Sequence, residues 1–138
     1  MVKHAWSVFA QNSVIDERTK LLSIQSIYES VTIDIPGNEI PKEIDAPVNG
    51  ELISYLFRSN SSTTEKASIG FELISPSGEA LTKNEILASL PKGKKNFRIV
   101  GQIKVLKFKE AGDYVIEIKL NGKTVQELPL EVLMNTLG

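Results

Sequence analysis

The chain has 138 residues, 41 % hydrophobic and 24 % charged, with 16 basic against 17 acidic side chains and a formal net charge of −1. That length suffices for a single domain, 1–138, with a core of its own, and the composition excludes a disordered chain. Cysteine is absent, which excludes disulfides, thiolate nucleophiles and thiolate metal sites, and the near-neutral balance gives the whole molecule no strong pull on nucleic acid.

The dominant signal along the chain is β. Trp6 to Val14 and Leu21 to Ile33 read as two long strands joined by the polar turn Asp16-Glu17-Arg18-Thr19-Lys20. The N-terminal apolar run Ala5 to Ala10 is broken by Ser7 and is too short for a secretory signal, and no window approaches the roughly 18 apolar residues of a membrane helix. Together with the missing cysteines, these features lead us to expect a cytoplasmic protein that does not engage a membrane. Asp34 to Gly50, with Pro36, Pro41 and Pro47, reads as an irregular loop of about fifteen residues, long enough to suggest a role. Ile53, Tyr55 and Phe57 then alternate with Ser54 and Arg58, and Asn60 to Thr64 is a polar run in which low order is expected.

Ala67, Ile69, Phe71 and Leu73 repeat with a period of two and stop at Ser75-Pro76-Ser77-Gly78, a turn sequence. Thr82 to Leu90 opens with an N-cap type residue followed by Glu85 and stops before Pro91, so a short helix and a further strand are both open for it. Pro91 to Asn96 is a basic loop. Phe97 to Phe108 reads as a strand whose apolar phase slips, since Ile103 and Val105 share one face and Leu106 and Phe108 the other; a bulge near Lys104 to Leu106 reconciles the halves. Tyr114, Ile116, Ile118 and Leu120 form the cleanest strand. Asn121-Gly122 predicts a type I′ hairpin, and Leu128, Leu130 and Val132 return. Pro129 puts that last strand at an edge or a bulge.

About seven to eight strands without βαβ alternation predict an all-β, immunoglobulin-like antiparallel β-sandwich. Gly112 two residues before Tyr114 resembles the tyrosine corner of such domains, where the phenol hydroxyl ties back to upstream backbone. The strand cysteines of antibody domains are missing, so the likeness is to the wider immunoglobulin-like group. Over its whole length the chain is also similar to a family of small uncharacterised bacterial β-sandwich proteins, through Asp16 to Ile33, Gly112 to Tyr114 and Pro129 to Val132. That resemblance implies a fold and no assigned activity.

The motifs of catalysis are missing. His4 is the one histidine, and neither HExxH, GxSxG, GxGxxG nor GxxxxGK[ST] occurs. No catalytic residue, metal ligand or cofactor is expected. The acids between Asp34 and Glu51 offer oxygen ligands for calcium, but their spacing matches no known loop. Trp6, the single tryptophan, is expected in the core, with a sugar-stacking platform as the other reading.

Charge is unevenly placed. Lys92, Lys94, Lys95, Arg98, Lys104, Lys107 and Lys109 lie within Pro91 to Lys109, which holds no acid, while Glu29, Asp34, Glu39, Glu43, Asp45 and Glu51 face a single base, Lys42. The basic stretch protects a strand edge, or meets a protein partner with an acidic face; nucleic acid is disfavoured because Phe108 belongs to the core. Opposite stretches on one molecule also allow copies to associate head to tail into a homo-oligomer. The sequence thus points to a non-enzymatic protein-interaction or accessory module with an unidentified protein partner. Its rivals are a structural subunit of a larger assembly or phage particle, and a small-ligand or sugar-binding sandwich.

Overall fold

Where apolar and polar residues alternate without interruption, the strands form as the pattern requires. The computed structural model describes residues 1–137 and contains nine strands: β1 (Lys3–Ile15), β2 (Leu22–Ile27), β3 (Ser30–Ile35), β4 (Ile44–Phe57), β5 (Glu65–Ile74), β6 (Ala80–Leu90), β7 (Asn96–Phe108), β8 (Gly112–Leu120) and β9 (Lys123–Thr136). They build two facing sheets, one in the order β2-β1-β4-β7 and one in the order β3-β9-β8-β5-β6. The inward residues of β5, β8 and β9 (Ile69, Phe71, Leu73, Tyr114, Ile116, Ile118, Leu130 and Val132) meet Phe9, Leu52, Leu56, Ile99, Ile103, Leu106 and Phe108 of the other sheet in one core. This is an immunoglobulin-like β-sandwich, with β5, β8 and β9 adjacent as the C, F and G strands of such domains are.

The β8–β9 hairpin turns at Asn121 (φ 51°) and Gly122 (φ 82°), the pair of positive angles a type I′ turn needs. The Tyr114 hydroxyl donates to the Glu110 carbonyl at 2.7 Å and accepts from the backbone N–H of Lys109 and Glu110 at 3.0 and 3.1 Å. Gly112 precedes it with φ 139°, a conformation a side chain resists. The ring also packs edge-on against Phe108, at 5.2 Å between centroids.

Four expectations need correction. Leu21 to Ile33 is not one strand. The chain bends within β2 at Ser26 (φ 58°), leaves that strand after Ile27, turns at Tyr28, whose N–H donates to Phe9 O at 2.8 Å, and enters the other sheet as β3. There β3 runs parallel to β9, so the sandwich is not wholly antiparallel. A strand that changes sheets keeps its period-two pattern, which is why the sequence hides the break. The long loop shrinks to 36–43, because β4 already starts at Ile44 and carries Pro47 at a register shift. For Thr82 to Leu90, where the sequence leaves helix and strand both open, the strand is the one that forms: it lies within the edge strand β6, held by pairing with β5. The phase slip in β7 is present, but the extra residue sits on β4: Val48 and Asn49 stand against Lys104 alone.

Candidate functional site

Along β4 the apolar phase faces the wrong way. Ile53, Tyr55 and Phe57 point to the outer surface of the four-stranded sheet, while Ser54 and, just past the strand end, Arg58 are buried within the fold. On β1 a register shift between His4 and Trp6 turns Trp6 outward and leaves His4 and Ser7 inward. Trp6 is therefore half-buried outside the core, and the expectation of core packing is corrected.

The residues opposite one another in the ladder share a face, so the register lays out the outer surface in rows. Trp6, Tyr55 and Arg98 form one row; Val8, Ile53 and Val100 the next; Ile27, Ala10, Glu51 and Gln102 a third. The Trp6 and Tyr55 rings stack nearly parallel, 5.7 Å between centroids and 8° between planes. Ile53 has no exposed surface although it faces away from the core, whereas Val100 is 40 % and Ile27 56 % exposed. The polar rim includes Glu51, which accepts from Ser13 Oγ at 3.0 Å and Gln102 Nε2 at 2.9 Å.

Inside the same corner the polar groups need partners, because a buried donor or acceptor left alone costs about 1–3 kcal/mol. Ser7 Oγ lies 2.7 Å from Ser54 Oγ and 2.7 Å from His4 Nε2. The Gln126 side chain accepts from Ser7 N at 2.7 Å and donates to Ser7 O at 3.1 Å, standing in for a neighbouring strand. Arg58 donates through Nε to Lys94 O at 2.9 Å and through Nη2 to Pro91 O at 2.9 Å, and its Nη1 faces Glu65 at 3.7 Å. It thus clamps the β6–β7 turn. Burial pushes the His4 imidazole below its usual value, favouring the neutral ring.

A base 2.7 Å from a hydroxyl is the first requirement of a serine nucleophile. Here Ser7 is 1 % exposed and its hydroxyl is shared with Ser54. Among the described residues no group of three His, Asp or Glu side chains is placed to hold a metal. No helix is long and apolar enough to cross a membrane.

The seven bases of the basic stretch do not form one patch. β7 is thirteen residues long, roughly 40 Å at the usual rise, and separates them. Lys92, Lys94 and Lys95 sit in the turn held by Arg58, with Lys94 Nζ 5.4 Å from the Phe97 ring centroid. Arg98 joins the Trp6 row. Lys107 lies 3.5 Å from Glu43, and Lys109 lies 2.6 Å from Glu79, whose hydrogen bond and charge hold the ammonium above its usual value. The acidic stretch is divided as well: Glu43 and Asp45 lie beside Lys107, Glu51 lies on the outer face, and Asp34 sits in the other sheet. Asp16 instead caps its own turn, its carboxyl held low by the backbone N–H groups of Thr19 and Arg18.

The fold and this face define a β-sandwich with a second, outward-facing apolar layer on one sheet. The chain belongs to the family of unknown function DUF6941, which matches residues 12–133. No curated protein matches it. Among solved structures it is similar to the alkylpurine DNA glycosylase AlkC of Pseudomonas fluorescens bound to DNA containing an abasic-site analogue, at 11 % identity and a TM-score of 0.48. That match covers 92 % of this chain and 30 % of the glycosylase chain, so this chain spans under a third of its length. It is also similar to the immunoglobulin-like protein PA1606 of Pseudomonas aeruginosa, at 12 % identity, 96 % of both chains and a TM-score of 0.36. A third similar structure is CBD12 from CALX1.2, at 17 % identity, 75 % of this chain, 41 % of that one and a TM-score of 0.35.

Proposed function

We propose that this protein is a non-enzymatic interaction module of the cell interior that docks a protein partner on the outer face of the four-stranded sheet. The observation that carries the reading is the inverted corner. Trp6, Tyr55, Val8 and Val100 face outward, while Ser7, Ser54 and Arg58 take places in the interior that apolar side chains would fill at no hydrogen-bonding cost. A fully buried aromatic or aliphatic side chain contributes about 1.5–3 kcal/mol. A folded chain that forgoes part of that on several neighbouring residues recovers it when a partner covers them. An apolar centre with a polar rim of Arg98, Glu51 and Gln102 has the anatomy of a protein interface.

The test is a tagged pull-down from host lysate, with and without nuclease, comparing wild type with Ile27→Lys and Trp6→Ser. Both sites are partly exposed, so the variants fold, as circular dichroism would verify. A protein captured under both conditions by wild type and lost from the variants is the expected result. Capture that ignores the variants, or that disappears with nuclease, overturns the reading.

A further inference from the structure

We infer that the free edge of β7 takes up an extended segment of the partner as an added strand, and that this segment carries acidic residues on both sides of a short uncharged centre. The inference rests on the interaction-module reading and adds the chemistry of the partner.

β7 ends its sheet and is bonded to β4 alone. The sole hydrogen bond found across the gap to β6 is from Lys107 N to Thr82 Oγ1, at 3.2 Å. Elsewhere along the strand alternate N–H and C=O groups face outward, the template that strand addition uses. On the opposite side of the sandwich the stretches of β1 and β9 that β2 and β3 leave uncovered are closed. Gln126 occupies both backbone groups of Ser7, Tyr28 N bonds Phe9 O, and Pro129 has no N–H to offer. The centre of β7, Ile99 to Ile103, has no charge, no proline and no such cover.

Charge identifies the occupant. Among the described residues Lys92, Lys95 and Arg98 on one side of that centre, and Lys104 on the other, have no carboxylate within 4.0 Å; of the neighbouring bases, Lys107 and Lys109 do. A strand laid along the edge meets uncompensated positive charge at both ends and aliphatic surface between, from Val100 and from Ile86, which lies against Gly101. Acidic flanks on an uncharged centre complement that pattern. A second copy of β7 does not, because Pro91 to Lys109 holds no acid, so no register of β7 against itself sets an acid against a base. Aliphatic side chains and an open backbone ladder suit a peptide rather than nucleotide bases, which need aromatic stacking surfaces.

Two peptides of about nine residues, alternating Val and Thr, would be compared, one with Glu pairs at both ends and one with Lys pairs. Binding would be followed by fluorescence anisotropy and backbone amide exchange. The Glu-flanked peptide is expected to bind at least about tenfold more tightly, more weakly as salt rises, and to slow exchange of β7 amides not bonded to β4. Arg98→Glu with Lys104→Glu should reverse the preference. Equal binding of the two peptides, no protected amide in β7, or tighter binding of a single-stranded oligonucleotide overturns the inference. If β7 stays unprotected while Ile27→Lys still loses its partner from lysate, docking on the face stands and the added strand fails. If β7 is protected while capture ignores Ile27→Lys, the edge works without the face.

Discussion

The two outer faces of this sandwich differ at their centres. On the five-stranded sheet a central outward row is charged: Lys83, Glu72, Glu117 and Glu127 lie across β6, β5, β8 and β9, and Asp113 stands opposite Glu131, while Leu87 and Leu133 are exposed on other rows. Glu72 is held by Lys83 at 3.5 Å and Lys119 at 3.3 Å, but Glu117 and Glu127 oppose each other with no base between them. On the four-stranded sheet the central outward residue is Ile53, packed between Val8 and Val100. An antiparallel sheet ordinarily needs one apolar face. The acidic face shows what this chain does when an outer surface is left to solvent. The apolar face is the one on which we propose that a partner docks.

The largest effect that sharpens this contrast is expected at the middle outward positions. Ile53→Ala should destabilise the fold by about 3 kcal/mol, as a core truncation does, whereas Glu117→Ala should change stability by less than about 0.5 kcal/mol. Urea titration of both variants measures it. A loss below about 1 kcal/mol at Ile53 would mean that the outer face is not a packed layer.

A smaller effect of opposite sign is expected on the acidic face. Glu127→Lys turns the pair with Glu117 from like to opposite charges and should stabilise by about 0.5–1 kcal/mol at low salt, fading as salt rises. Thermal melts at two ionic strengths test it, and a destabilised variant would indicate that the glutamates do not repel.

The smallest effect concerns the inner side of the inverted corner. Burial lowers the His4 value in the folded chain below the roughly 6.5 of the unfolded chain, so the unfolded state takes up the proton first. Stability is therefore full above about pH 6.5 and declines as pH falls below it. His4→Gln should flatten this part of the melting-temperature profile. An unchanged slope would place its cause elsewhere.

Much of the fold was legible in the residues. The β5 and β8–β9 segments alternate strictly, and Asn121-Gly122 and Gly112-x-Tyr114 specify local conformations that neighbours along the chain largely decide. The site was far less legible. Ile53, Tyr55 and Phe57 announce a strand and a period, but a period of two carries no sign: it says which residues share a face and not which face meets the core. The register shift at His4 to Trp6 and the partners of Ser7, Ser54 and Arg58 are all distant in sequence, with Gln126 lying 119 residues from Ser7. One signal was available: a run in which Ser54 and Arg58 share a phase with Leu52 and Leu56 has two candidate cores, and the aliphatic pair marks the true one.

The basic stretch teaches the same lesson. Its charges are adjacent in sequence, yet an extended strand spreads thirteen residues over tens of ångströms, and pairing with β4 sets one of them, Lys107, beside Glu43 and Asp45 of the other charged segment. By itself the sequence determined that the chain is predominantly β, where its tightest turns fall and which sequence motifs it lacks, because these depend on local conformational preference and residue inventory. The tertiary structure alone decided where Leu21 to Ile33 changes sheets, which phase of β1 and β4 faces outward and which strands end the sheets, because each depends on pairing between segments far apart in the chain.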